Sequence, residues 1–371
     1  MDNTIGNIPA ITVDKSVTLL SKMYSNVINN NIELSKVPSV MLWGPPGVGK
    51  SQSIRQIAKE LNINTGKRVN VTDVRLILFN PVDLRGIPTA NEDKTLAVWL
   101  RPKIFDMDSS NDVINILFLD EISSAAPSVQ AAAYQITLDR TIGEHKLPNN
   151  CIVIAAGNRI TDKAVAYQMP SALANRFMHL EIMADYSSWN RWAVETGINP
   201  MVLAFLKFKP NYLNTFDPKK GSLAFATPRS WEMVSNILNN VSNDINETSD
   251  LISGLVNSGI SIEFRGFAKV FKDLPNIDDI FDGKCNIIPK NPDTIYALTA
   301  SMVSYARKYK DDITRITNSI RYALKLTPDF SLVLLKDYMY IDKGYKTKLL
   351  RIPEFQNWVK TRGKLLDGAI W

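Results

Sequence analysis

Gly44-Pro45-Pro46-Gly47-Val48-Gly49-Lys50-Ser51 stands between the short apolar run Ser39 to Trp43 and a stretch with helical spacing. A glycine, four residues and Gly-Lys-Ser, placed after a strand and before a helix, is the pattern of a phosphate loop. Its glycines let the backbone curl so that several N–H groups point inward at phosphate oxygens, and a helix beginning near Lys50 adds the positive end of its dipole. Lys50 supplies a mobile cation to the outer phosphates. Ser51 offers a hydroxyl to magnesium, which bridges phosphate oxygens and neutralises charge as a terminal phosphoryl group leaves. By itself the stretch supports nothing narrower than an ATP- or GTP-binding strand–loop–helix unit.

Working outward, Ile114 to Leu119 is an apolar run that ends in Asp120-Glu121. A buried strand ending this way delivers two carboxylates beside the phosphate loop. Asp120 is placed to hold magnesium, directly or through water, and Glu121 to polarise the water that attacks the terminal phosphate. Asn158 follows a third run, Cys151 to Ala156, and can orient that water; as an isolated residue it reads first as a turn cap. With a further run at Val74 to Phe79 and helix-compatible stretches between, the alternation predicts an α/β fold, a parallel sheet covered by helices. Val17, Leu20, Tyr24, Val27 and Ile28 predict a helix ahead of the first strand. Residues 80 to 104 break the pattern with Pro81, Gly86, Pro88 and Pro102, so an insertion is expected there. From Tyr186 the apolar runs are longer and helical, which predicts a mostly helical second region.

Composition fits this picture. The chain has 371 residues, 45% hydrophobic and 22% charged, which exceeds one typical core and suits a globular protein of at least two domains. No apolar run is long enough to cross a bilayer, and no basic-then-apolar leader opens the chain, so a cytoplasmic protein is expected. Cys151, Cys285, His145 and His179 lack metal-ligand spacing and are expected to be structural. The net charge of +6 is uneven: residues 321 to 371 carry ten Lys or Arg against five Asp or Glu. That tail is either a solvated helical surface or a face for nucleic acid or an acidic protein.

These residues resemble the AAA+ ATPases, and within them the MoxR group. Gly44 to Ser51 looks like Walker A, Phe118-Leu-Asp-Glu121 like Walker B, and Ala155-Ala-Gly-Asn158 like sensor 1. Asn80 to Pro88, Ala125 to Ala131 and Met169 to Phe177 are similar to the MoxR-like branch. The resemblance implies a P-loop three-layer αβα nucleotide-binding domain over 1–184, a helical lid over 185–246 and a helical C-terminal extension over 247–371. It also implies ATP and Mg2+ as ligands and a homo-oligomeric ring, usually a hexamer, with ATP held between neighbours. Arg176 matches the arginine finger reaching into the next subunit's site, although Asn175 stands where many relatives have Asp, and Arg159 or Arg140 can reach the same interface. Arg229, in Thr227-Pro-Arg-Ser230, matches the lid arginine called sensor 2. The stretch 80 to 104 matches a hairpin inserted in the second helix, which in the family faces the pore or the substrate. There Ile87, Leu96, Val98 and Trp99 are apolar contacts, or Trp99 and Ile104 merely pack the insert onto the domain. A second hairpin is expected at Asp139 to Leu147, turning near Gly143.

Two functions follow. The first is a chaperone-like ATPase remodelling a protein partner, by family resemblance one with a von Willebrand factor A domain. The second is a nucleic-acid-dependent ATPase such as a helicase loader or a phage DNA-processing motor, for which the positive charge speaks.

Overall fold

Strands that are apolar at every position can be buried only on both faces at once, and so require helices on both sides of their sheet. A computed structural model, which describes residues 8–162, 167, 169 and 174–362, shows this arrangement. In chain order its first elements are β1 (Ala10–Thr12), α1 (Val13–Asn29), β2 (Ser39–Trp43), α2 (Lys50–Thr65), β3 (Arg68–Arg75) and α3 (Pro81–Arg85). The hairpin β4 (Ile87–Ala90) and β5 (Ala97–Leu100) leads to β6 (Val113–Asp120) and α4 (Pro127–Asp139). A second, shorter hairpin, β7 (Thr141–Ile142) and β8 (His145–Lys146), precedes β9 (Cys151–Gly157) and β10 (Phe177–Met183).

Six of these strands form one sheet in the order β1-β10-β2-β9-β6-β3, and every pairing in it is parallel. The three buried apolar strands β2, β9 and β6 lie adjacent in its interior. Alternate residues serve two cores: Leu42, Ile116, Phe118 and Ile154 face one cluster with α1 and α2, whereas Met41, Leu117, Leu119 and Val153 face the other with α4. The first unit is thus a three-layer αβα domain built on a parallel sheet, and helices fill the C-terminal region.

One strand differs from the sequence expectation. The run Val74 to Phe79 is not a strand; β3 ends at Arg75, and Leu76–Leu78 is a single 3-10 turn. β3 is the sheet edge and half its residues face water, so Arg68, Asp73 and Arg75 interrupt any apolar pattern. The apolar run instead leads out of the sheet toward the insertion, where Leu78 is 74% exposed. Both expected hairpins are present, and they touch. His145 donates from Nε2 to the Trp99 carbonyl at 2.7 Å. Gly143, in the left-handed region at φ +56°, lies so near α3 that a Cβ there would stand 2.6 Å from the Arg85 carbonyl.

The chain divides into two compact units, Met1–Ala184 with Asp217–Gly221, and Asp185–Phe216 with Ser222–Trp371. The second is helical: α5 (Tyr186–Thr196), α6 (Pro200–Phe208), α7 (Pro228–Asn240), α8 (Ser249–Val256) and α9 (Ser258–Ala268) are followed by the short α10 (Ile277–Phe281). The last five are α11 (Pro292–Lys308), α12 (Ile313–Ala323), α13 (Pro328–Met339), α14 (Lys343–Leu349) and α15 (Pro353–Arg362). Proline at the first helical position recurs in α6, α7, α11 and α13, where its missing N–H costs nothing. A single apolar cluster runs from Trp189 to Trp358, with Phe205, Trp231 and Phe264 in mutual ring contact at 5.1 to 5.5 Å. Among the described residues no helix is long and apolar enough to cross a membrane. Cys151 is fully buried and burial pushes its thiol up to about 11, which keeps it protonated at neutral pH.

Inside the second unit, Lys207 of α6 pairs with Asp337 of α13, their side chains 5% and 3% exposed. Asn190 donates to the other Asp337 oxygen at 2.8 Å. A buried pair loses more from removal of one partner than it gains by existing, because the remaining charge is stranded. Lys207→Met is therefore expected to lower unfolding stability by about 3–5 kcal/mol, measured by urea denaturation. A loss below about 1 kcal/mol would show that water reaches Asp337.

Candidate nucleotide site

The strand order decides where the candidate residues meet. β2 runs directly into the loop, β9 is its neighbour on one side, and β6 lies next to β9. The carboxyl ends of three parallel strands therefore open on one edge, which is where an open α/β sheet takes its ligand. Gly44, Gly47 and Gly49 have φ of +154°, +78° and +106°, conformations that let the chain turn its N–H groups inward ahead of α2. Pro45, Pro46 and Val48 complete the loop, and Val48 anchors it by burial in the core beneath α1 and α2.

Two contacts assemble the site. The Ser51 hydroxyl, in the first turn of α2, donates to Asp120 Oδ2 at 2.8 Å. The Lys50 ammonium donates to Asn158 Oδ1 at 3.0 Å and to the carbonyls of Gly44 and Pro45 at 2.6 and 3.1 Å. Loop, β6 and β9 are thereby joined through side chains separated by 69 and 108 residues. A serine hydroxyl and an aspartate carboxylate are hard oxygen donors, suited to magnesium with the remaining positions left for water and phosphate.

Glu121 leaves β6 with φ +59°, a left-handed conformation that is costly for a side chain bearing a Cβ. Its N–H donates to Asp120 Oδ1 at 2.9 Å, and the next N–H, of Ile122, donates to the Ala156 carbonyl at 2.9 Å. The turn is thus locked against β9.

Asn158 has a support that sequence reasoning missed. Ser123 Oγ accepts from the Asn158 N–H at 2.9 Å and donates to its carbonyl at 3.1 Å, so one hydroxyl holds the backbone of this residue from both sides. A serine just after an Asp-Glu pair looks like any polar turn, and no local pattern marked it.

The arginines separate clearly. Arg159 is held by Asp162 through two nitrogens and by Glu181 of β10 at 2.5 Å, with both carboxylates buried. Burial works against its charge, but the bonds to these carboxylates outweigh it and hold the guanidinium above its ordinary pKa. Arg140, past the end of α4, donates to the Cys151 carbonyl. Both are committed inside the domain. Arg176 instead is exposed at the entry to β10; of the Met169 to Phe177 motif, residues 170–173 lie outside the described residues. Arg229 belongs to the second unit, exposed as the second residue of α7 behind a capping box between Thr227 and Ser230.

In the insertion, Ile87 and Leu100 are paired across the hairpin and, with Leu78, Val82 and Ile104, line an open groove of about 440 Å³. Ile87 and Leu96 are exposed, whereas Val98 and Trp99 are half-buried.

Residues 39–179 match the ATPase family associated with various cellular activities (AAA). The matched segment runs from β2 to the middle of β10 and contains the whole loop, both carboxylates, Asn158 and Arg176. No curated protein matches the chain. Among solved structures it is similar to PCH-2 of C. elegans, at 12% identity and TM-score 0.36 over 68% of this chain and 67% of that one. A RuvB variant from Thermotoga maritima matches at 16% identity and TM-score 0.35, over 78% and 81%. The E. coli HORMA:CdnC:Trip13 complex contains a chain matching at 14% identity and TM-score 0.37, over 69% and 88%. Likenesses this distant do not bear on what the chain acts upon.

Ser123→Ala removes the partner of the half-buried Asn158 N–H. The variant is expected to lose about 1–3 kcal/mol of unfolding stability, read from urea midpoints, with the adjacent Ser124→Ala as comparison. Equal stabilities for the two would show that water replaces the hydroxyl.

Proposed function

We propose that the chain is a magnesium-dependent ATPase of MoxR-like type that works in the cytoplasm as a homo-oligomeric ring, a hexamer by resemblance, and remodels a protein partner. The observation that carries the chemistry is the convergence of Lys50, Ser51, Asp120 and Asn158 on the phosphate loop. Phosphate oxygens would take over the Lys50 ammonium from the Gly44 and Pro45 carbonyls, and the Ser51 and Asp120 oxygens would hold magnesium, which supplies charge neutralisation at the β- and γ-phosphates. Glu121 would draw a proton from the attacking water, and Asn158, steadied by Ser123, would orient that water. Arg176, the exposed arginine of the three considered, would complete a neighbouring subunit's site, so that turnover depends on assembly. Arg229 would report nucleotide from the lid, where closure on ATP and release on hydrolysis turn chemistry into movement.

A partner of the von Willebrand factor A type is the first to test, on the strength of the MoxR resemblance alone. The open apolar groove beside β4 and β5 favours a protein over a nucleic acid at the insertion, since backbone phosphates call for clustered cations.

Glu121→Gln is expected to keep ATP binding and lower turnover by about 100-fold or more. Lys50→Ala is expected to weaken ATP binding by roughly 10- to 100-fold, the worth of a hydrogen bond to a charged group. Phosphate release and fluorescent-nucleotide titration read the two effects separately. Undiminished turnover in Glu121→Gln would show that the base is misassigned. Stimulation of turnover by DNA or RNA at low salt, fading steeply as salt rises, would replace the protein remodeller with a nucleic-acid-dependent machine.

A further inference from the structure

β10 meets the nucleotide site at three places. It runs beside β2 with His179 opposite Met41 and Glu181 opposite Trp43, and residues two apart in a strand share a face. On that face the Trp43 indole N–H donates to His179 Nδ1 at 2.9 Å, the rings lying 16° from parallel. An indole nitrogen can only donate, so Nδ1 is the unprotonated nitrogen and Nε2 carries the hydrogen. That hydrogen goes to the Ala174 carbonyl, 2.7 Å away. One neutral imidazole thus joins the last residue before the phosphate loop to the chain two residues ahead of Arg176.

The second link is Gly44 itself, which approaches β10 so closely that a Cβ there would stand 2.6 Å from the Ile182 carbonyl. The third is the bond from Arg159, the residue after Asn158, to Glu181. Arg176 is meanwhile confined between two fixed points. Ala174 is tied through His179, and Phe177 is already paired with Ser39 in the sheet. Only Asn175 and Arg176 lie between, and both face outward.

We propose that His179 and Trp43 are positioning residues for Arg176, and that through them the nucleotide loop of a subunit sets how that subunit presents its arginine to its neighbour. The inference rests on the reading of Arg176 as an arginine given in trans. Binding of phosphate would draw Lys50 from the carbonyls of Gly44 and Pro45, and Gly44 is covalently next to Trp43. A shift there reaches Ala174 through two hydrogen bonds. Neither His179 nor Trp43 needs to touch nucleotide for this.

Mixed assemblies separate the roles. A Glu121→Gln subunit keeps ATP on its loop but scarcely turns it over, and can donate Arg176; an Arg176→Ala subunit has a sound site but cannot donate. Mixing the two full-length variants is expected to recover ATPase activity that neither has alone. Adding His179→Ala to the donating subunit is expected to lower the recovered kcat at least about tenfold while the KM for ATP stays that of the accepting subunit, in keeping with the rate an arginine of this kind supplies. Trp43→Phe in the donor, which keeps a ring but removes the N–H, is expected to act in the same direction. His179→Gln, able to accept on one side and donate on the other, is expected to restore part of the rate. The same substitutions in the accepting subunit are expected to cost less. Equal losses from either side, or no loss from the donor side, would overturn the proposal. If the unmodified mixture recovers nothing, Arg176 is not given in trans and the inference falls with that reading.

Discussion

A triphosphate can be gripped by backbone N–H groups only where the chain turns through conformations that most residues avoid, and only if something keeps that turn from relaxing. Here the turn is the loop from Gly44 to Ser51, and what restrains it is the bond between Ser51 and Asp120. It joins the first turn of α2 to the end of β6 across the intervening strand β9. The bond requires that β2, β9 and β6 lie side by side, parallel and in fixed register, and this in turn requires a sheet interior apolar on both faces. Core packing and phosphate chemistry are therefore one constraint: a one-residue slip of β6 would move Asp120 to the opposite face of the sheet and the site would come apart.

β10 extends that constraint to the rest of the domain. Its residues alternate between packing and bonding. Leu180 and Ile182 enter the core, while His179 and Glu181 reach Trp43 and Arg159 on either side of the nucleotide loop. Buried polar groups placed in this way fix a single arrangement rather than adding much stability, since each must find its partner or be stranded. The costly left-handed turn at Glu121 is of the same kind, tolerated because the Ile122 N–H is fixed to the Ala156 carbonyl of β9.

Much of this was legible in the residues. β2, β6 and β9 were visible because strands buried on both faces are apolar at nearly every position, with Ser39 and Asn115 as buried exceptions, and the loop was visible because its glycines and lysine keep a fixed spacing. The insertion at 80 to 104 showed through Pro and Gly where helix pattern failed, and the family resemblance made it a hairpin. Edge strands were harder. β3 mixes Arg68, Asp73 and Arg75 with its valines, so the neighbouring run Val74 to Phe79 was read in its place, although most of that run leaves the sheet. β10 was obscured by His179 and Glu181, whose partners are distant in sequence. From the residues alone His179 reads as structural, and in the fold it bonds Trp43 and the Ala174 carbonyl. Ser123 and the commitment of Arg159 and Arg140 to internal partners depend wholly on tertiary contacts. Arg229 is a different case: it stands exposed at the start of α7, and its role rests on resemblance alone.

The claim at the centre is that Ser51 and Asp120 form a preassembled seat for the magnesium of ATP. Calorimetric titration with ATP, in Mg2+ and in chelator, tests it most directly when the parent chain is compared with Ser51→Ala. The expected result is that Mg2+ tightens ATP binding to the parent, and that Ser51→Ala binds ATP like the parent in chelator but loses the tightening. An undiminished effect of Mg2+ in Ser51→Ala would contradict the account.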